Sequence, residues 1–345
     1  MNSAGFTKSD LSVARRPIRI ARAQLVRSLG LCLVIVSLRL PALTAFAALG
    51  PSLPGSSPQI IDLVPQALQI LGKQNQSEGD RATRFLRSFL EAHPEVYWRP
   101  QTWKLDQKTA EDYLQKVPGY LSAVRDLHER FLREEPAVLA RFCQAFPDFE
   151  PARTRIYLML SLFRFDAKVP SDHPDSLLVG LDGLARFHGS QVPLSVILSH
   201  EFFHLYHFQV NPLPRNPDEI PLYRLLWQEG LAIYASRQLN PSASLADVLL
   251  DPRLANQGPA AIPSEAKRLL TCLDSQEDDV AAHFLTKSEG GTGPGRIGYL
   301  IGYEIVTHLA EKRPLSSLAR LRDPGLRFAF RRELYQLTKG TEGTR

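Results

Sequence analysis

With 345 residues, 44% of them hydrophobic and 22% charged, the chain has ordinary globular composition, which excludes a disordered, collagen-like or disulfide-dense protein. Its formal charge of +5 comes from one end: residues 1–47 carry seven basic side chains against one acid, and the remainder, with 34 basic and 35 acidic groups, has a net charge of −1. Nucleic acid is therefore excluded as a partner.

The first predicted element is a leader. Residues 29–38 (LGLCLVIVSL) form an apolar run behind a basic segment, and Ala45-Phe46-Ala47 offers small residues at a cleavage position. The run is too short for a membrane span, and Arg39 would fall inside the bilayer if the crossing were extended. Residues 1–47 thus read as a signal peptide, with an uncleaved amino-terminal anchor as the alternative and the one route to a membrane. Either places the rest of the chain outside the cytoplasm, periplasmic or extracellular. Residues 48–58, ending in PSLPGSSP, read as a Pro/Ser/Gly linker. Cys32 leaves with the leader, so Cys143 and Cys272 remain, as one disulfide or two thiols; no Cys-x-x-Cys is present.

Residues 59–150 are expected to be a helical segment without visible chemistry. Tyr120, Leu121, Val124, Leu127, Phe131 and Leu132 recur at three- and four-residue steps, and Pro136 is expected to restart a helix through Val138, Leu139 and Phe142. Trp98 and Trp103, interleaved with Arg99 and Lys104, suggest either a surface aromatic patch or packing under a loop. The register then changes: residues 155–165 (RIYLMLSLFRF) and 176–181 (SLLVGL) are apolar runs of strand length, which predicts a small sheet. A helix over 194–210 follows Pro193 and is broken by Pro212, Pro214 and Pro217. Two further helices, near 223–239 and 296–312, flank a loop-rich stretch that includes Gly290-Gly291-Thr292-Gly293-Pro294-Gly295, a candidate mobile segment.

The informative string is His200-Glu201-Phe202-Phe203-His204. On a helix, positions i and i+4 stack, so His200 and His204 can present imidazole nitrogens to one Zn²⁺. Glu201 beside them can take a proton from a water that the ion acidifies. Chance produces this pattern in roughly one per cent of chains of this composition. A catalytic site needs a third protein ligand, and Glu229 in Trp227-Gln228-Glu229-Gly230-Leu231-Ala232 is the leading candidate, with Gly230 expected to let its helix approach the metal helix; His207 is the rival.

His-Glu-x-x-His followed one helix later by Glu-Gly-Leu-Ala resembles the gluzincin branch of zinc metallopeptidases, and more narrowly the zinc-dependent proteases with a peptidase-MA-like fold. The resemblance covers roughly residues 156–309. It implies an α+β, zincin-like domain over residues 151–345: a small mixed sheet whose edge strand aligns an extended peptide, here residues 176–181, then the His-Glu-x-x-His helix and a mostly helical remainder. It also implies a hydrogen-bond donor to the oxyanion from a later helix; Tyr303 is favoured over Tyr299. The chain departs from the pattern in two respects. The gap between His204 and Glu229 carries four prolines, and Phe208 stands where an acid often fixes the imidazole, leaving a backbone carbonyl, Asp218 or Glu219 for that role.

The expected function is thus an exported zinc metallopeptidase, an endopeptidase acting on peptide or protein substrates, with His200, His204 and Glu229 on Zn²⁺ and Glu201 and Tyr303 as catalytic groups. A noncatalytic zinc-stabilised scaffold and a metallohydrolase of non-peptide amides are the alternatives. His128, His173, His188, His283 and His308 show no partners in the sequence.

Overall fold

The computed structural model describes residues 57–72, 78–97, 105–214, 219–286 and 295–339. The leader, Trp98, Trp103, Asp218 and Gly290 to Pro294 lie outside these residues. The architecture is α+β: one four-stranded mixed sheet among many helices.

The sheet has the order β1 (Gln59–Asp62), β2 (Arg155–Met159), β4 (Ser176–Gly180), β3 (Ala167–Lys168). The first three strands run parallel, with Ile60 opposite Ile156 and Tyr157 opposite Leu178; β3 is antiparallel to β4. Parallel strands need long crossovers. The one from β1 to β2 is helical: α1 (Val64–Leu71), α2 (Glu78–Phe85, continuing in a π-helical turn to Leu90), α3 (Pro94–Tyr97), α4 (Gln107–Lys116) and α5 (Leu121–Ala145). The expected helical segment therefore opens with a strand. Its four residues are too few to show a period, and β1 exists because β2 supplies its hydrogen bonds. His128 on α5 binds Asp62 at 2.7 Å, tying that helix to the end of β1. Pro136 does not restart a helix but lies within α5, where Val138, Leu139 and Phe142 continue the buried stripe begun by Val124, Leu127 and Phe131.

The run 155–165 is only half strand. After Met159 the chain turns, with Leu162 and Phe163 in left-handed backbone, φ 54° and 58°. The buried Asp182 carboxylate accepts the Ser161 and Phe163 N–H groups and holds the turn. The turn packs so tightly that a Cβ at Gly183 would lie 1.8 Å from Phe165 O. The returning chain makes β3, which pairs with Leu178 and Val179. Residues 176–180 are consequently an interior strand, buried at every position, and not the sheet edge; β1 and β3 are the outer strands.

From β4 the chain enters α6 (Leu181–His188), α7 (Leu194–Val210) and α8 (Leu222–Leu239). The stretch expected to be loop-rich is helical among its described residues: α9 (Leu245–Leu249), α10 (Pro252–Cys272) and α11 (Asp278–Leu285). Pro259 and Pro263 sit inside α10, yet Leu254, Gly258, Ile262, Ala266 and Leu269 form a buried seam at helical spacing. Burial of that seam outweighs the two lost backbone hydrogen bonds. Next come α12 (Ile297–Ala310), α13 (Leu315–Ala319) and α14 (Gly325–Leu337). One contiguous apolar core runs from Leu63 to Leu334. Cys143 and Cys272 are free thiols, half-buried on α5 and α10. No helix among the described residues is long and apolar enough to cross a membrane.

Candidate metal centre

The helix α7 begins after Pro193 and ends where the Asn211 N–H bonds to His207 O, matching the sequence expectation. Its residues are buried on all sides from Val196 to His207, because α5, α8 and the sheet surround it. His200 and His204 are thereby carried into the core, their rings edge to face with centroids 4.7 Å apart.

Glu229, on α8, reaches the same point. His200 Nε2 and His204 Nε2 stand 3.0 Å apart, and Glu229 Oε2 lies 3.3 Å from the first and 3.7 Å from the second. The position equidistant from these three atoms is about 2 Å from each, the length of a bond from imidazole nitrogen or carboxylate oxygen to a small divalent metal ion. Three such donor atoms converging in a buried space can share one cation. Glu229 Oε2 has no hydrogen bond among the described residues. His200, His204 and Glu229 therefore form a buried group able to hold a metal ion. Burial alone would push the Glu229 carboxyl up, but the His204 and His200 imidazoles outweigh it and bring it down to about 2.

The approach of α8 is organised differently from the sequence expectation. Ser236 Oγ donates to Val196 O, and Asn240 Nδ2 donates to Ser199 Oγ, which clamps α8 on α7. Gly230 faces α12 instead: a Cβ there would lie 2.3 Å from the Gly302 carbonyl carbon, so two glycines permit the α8–α12 crossing.

Glu201 follows His200 and is wholly buried, with neither oxygen hydrogen-bonded among the described residues. Burial pushes its carboxyl well above the ordinary range, and the charges of Asp166 and Glu229 add to the effect. With His200 it borders a narrow cleft. Asp166 Oδ2 also accepts a hydrogen bond from His188 Nε2 at 2.8 Å, a pairing invisible in the sequence because the turn before β3 and the helix α6 create it.

Tyr303, expected at the oxyanion, packs against Tyr234 with ring centroids 6.3 Å apart, and its charged neighbours are Arg237 and Glu304. It does not line the cleft. Tyr299 is buried beneath the Arg296 guanidinium, 4.1 Å from the ring centroid. The structure therefore brings together His200, Glu201, His204 and Glu229 and leaves Tyr303 aside. His207 is not in the donor group: it stacks near Phe203 and Phe208 with both nitrogens unpartnered among the described residues, and burial lowers its pKa to about 3. His204 Nδ1 has no hydrogen-bond partner among the described residues, and Glu219 is exposed. Sequence reasoning missed Arg296. It borders the cleft beside His200 and Glu201, and no motif marks it.

Comparison with protein-family models, curated proteins and solved structures gives no match for this chain.

Proposed function

We propose that the chain is an exported zinc metallopeptidase of the zincin-like class. Two imidazoles and one carboxylate are a donor set that suits zinc and leaves a coordination position open for water. A zinc ion held by His200, His204 and Glu229 would lower the pKa of a water toward ~7 and polarise a substrate carbonyl. The observation that carries the reading is Glu201: a fully buried carboxylate without a hydrogen bond, bordering the cleft next to the donor group. A purely structural metal site gives no reason to maintain such a group, whose burial is unfavourable.

Glu201 would take the proton from the attacking water. Its elevated pKa suits it to carry that proton and deliver it to the nitrogen as the peptide C–N bond breaks. Asp166 and Glu229 stand as negative charges nearby and favour the protonated form between these two transfers. The basic, apolar leader supports export of the mature chain.

The test is metal analysis of the chain from Ala48, beside its Glu229→Ala and Glu201→Gln variants. The expected result is one zinc per chain, sharply weakened in Glu229→Ala and retained in Glu201→Gln, with peptide hydrolysis by the latter reduced by about 10²–10⁴-fold. Full zinc retention in Glu229→Ala would remove that ligand, and undiminished hydrolysis by Glu201→Gln would end the peptidase reading.

A further inference from the structure

Helix α14 has two apolar faces, and the fold uses one of them. Leu326, Ala329, Phe330 and Leu334 are buried against the rest of the protein. On the other side Phe328 is 71% exposed and Tyr335 54% exposed, the two most exposed large hydrophobic side chains among the described residues. Seven positions make two helical turns, so the two rings stand in one line along the helix, about 10 Å apart. Ile60, Leu132 and Phe187 are exposed as well, but each stands on a different element, which is the ordinary scatter of a protein surface.

The aromatic ridge is edged with cations. By helical rotation Arg331 falls on one flank and Arg332 on the other, and both are exposed. Lys339 Nζ closes the line, 5.0 Å from the Tyr335 ring centroid. Two acids lie beside the ridge, each already paired: Glu333 with Arg332 and Asp274 with Arg327. Arg331 and Lys339 remain as excess positive charge. The local excess belongs to a wider asymmetry, since residues 311–345 carry nine basic and four acidic side chains whereas residues 48–310 carry 25 and 31.

Rings able to enter hydrocarbon, edged by cations whose heads stay in water, match an anionic lipid surface. The Tyr335 hydroxyl suits the level of the headgroups. The outer side of a helix is convex and meets a plane, whereas a nucleic-acid strand is held in a groove that tracks its backbone. A second copy of the chain would set Arg331 and Arg332 against their own kind, and two rings cover far less than the ~800 Å² per partner of a stable interface.

We infer that the exposed face of α14 docks on an anionic membrane surface, with Phe328 and Tyr335 entering the lipid and Arg331 and Lys339 meeting the headgroup phosphates. The inference concerns where the chain works, and it stands whether or not the metal group cuts peptides.

The test is co-sedimentation with vesicles of phosphatidylcholine alone and of phosphatidylcholine mixed with phosphatidylglycerol. The chain from Ala48 serves, because the apolar core from Leu63 to Leu334 lies wholly within it and no leader is present to insert by itself. Binding to the mixed vesicles is expected to be at least about tenfold tighter than to phosphatidylcholine, and to weaken as salt is added. The double variant Phe328→Ser, Tyr335→Ser changes side chains the fold leaves exposed, so it keeps the thermal midpoint and zinc content of wild type while binding the mixed vesicles about tenfold more weakly or worse. Arg331→Glu weakens binding too, and Arg331→Lys retains most of it. Equal binding to the two kinds of vesicle, or none to either, overturns the inference, and both outcomes need only the wild-type chain. Undiminished binding by the double variant overturns it as well. So does tighter binding of single-stranded DNA than of the mixed vesicles, or a dimer in sedimentation that the double variant dissolves, since either would give the face another occupant.

Discussion

Glu135 is buried on α5 with one carboxylate oxygen lacking a hydrogen bond, and burial raises its pKa above the usual 4.5. The folded chain then holds that proton more tightly than the unfolded one. The stability this contributes is intact below about pH 4.5 and is lost as pH rises through the elevated folded value. Glu135→Gln keeps the shape without the charge, so thermal denaturation is expected to show the variant more stable than wild type at pH 8, with the difference closing toward pH 4. Parallel stability curves at both pH values would contradict this. Glu135 and Glu201 are both glutamates on helices, buried at their positions. Glu201 is singled out in the sequence because two histidines flank it at positions that stack on one helix face. The same spacing logic made His200 and His204 legible, and Glu229 by its place one helix later. Arg296 was not legible, since its surroundings come from α7, α8 and α9, which only the fold brings together.

The crossing of α8 and α12 depends on a single pair of bare positions. Gly230→Ala would drive a Cβ to 2.3 Å from the Gly302 backbone, so the helices must separate. The expected cost is about 1–3 kcal/mol, read as a lower denaturation midpoint, together with weaker zinc binding because Glu229 is the adjacent residue. An unchanged midpoint and zinc affinity would show that the crossing yields without strain. Helices α7 and α8 were legible to within a residue because prolines bracket the first and Pro221 stands just before the second. Helix α10 was not, since Pro259 and Pro263 argue locally against it and only its buried seam against α12 and α14 reveals why it forms. Strand β4 was legible as a strand but not as an interior one. The partner that covers it is two residues long and arises from a turn held by Asp182.

At the scale of the molecule, the segment before residue 151 is bound to the metal helix. Phe142 of α5 and Phe146 just after it meet Phe202, Phe203 and Tyr206 of α7 at ring separations of 4.9–6.4 Å, and β1 supplies one neighbour of β2. A chain of residues 151–345 alone is therefore expected to lose cooperative thermal unfolding, measured by circular dichroism, whereas the chain from Ala48 keeps it. A sharp transition in the shorter chain would show that the part holding His200, His204 and Glu229 stands without that support. This dependence was not legible, because the segment carries packing residues and no chemistry, and periodicity does not say what a helix packs against.

The parallel pairing of β1 with β2 also sets an order in time. During synthesis, β1 emerges at residues 59–62 while its partner, residues 155–159, follows only after the whole of α1 to α5. At the usual pace of translation that interval is about 5–20 s. Throughout it Ile60 and Ile61 have no strand to pair with, and the helices between can form from local contacts alone. The sheet closes late, the helix bearing His200 and His204 is made after it, and Glu229 comes later still, so the metal group is completed on a scaffold already largely assembled.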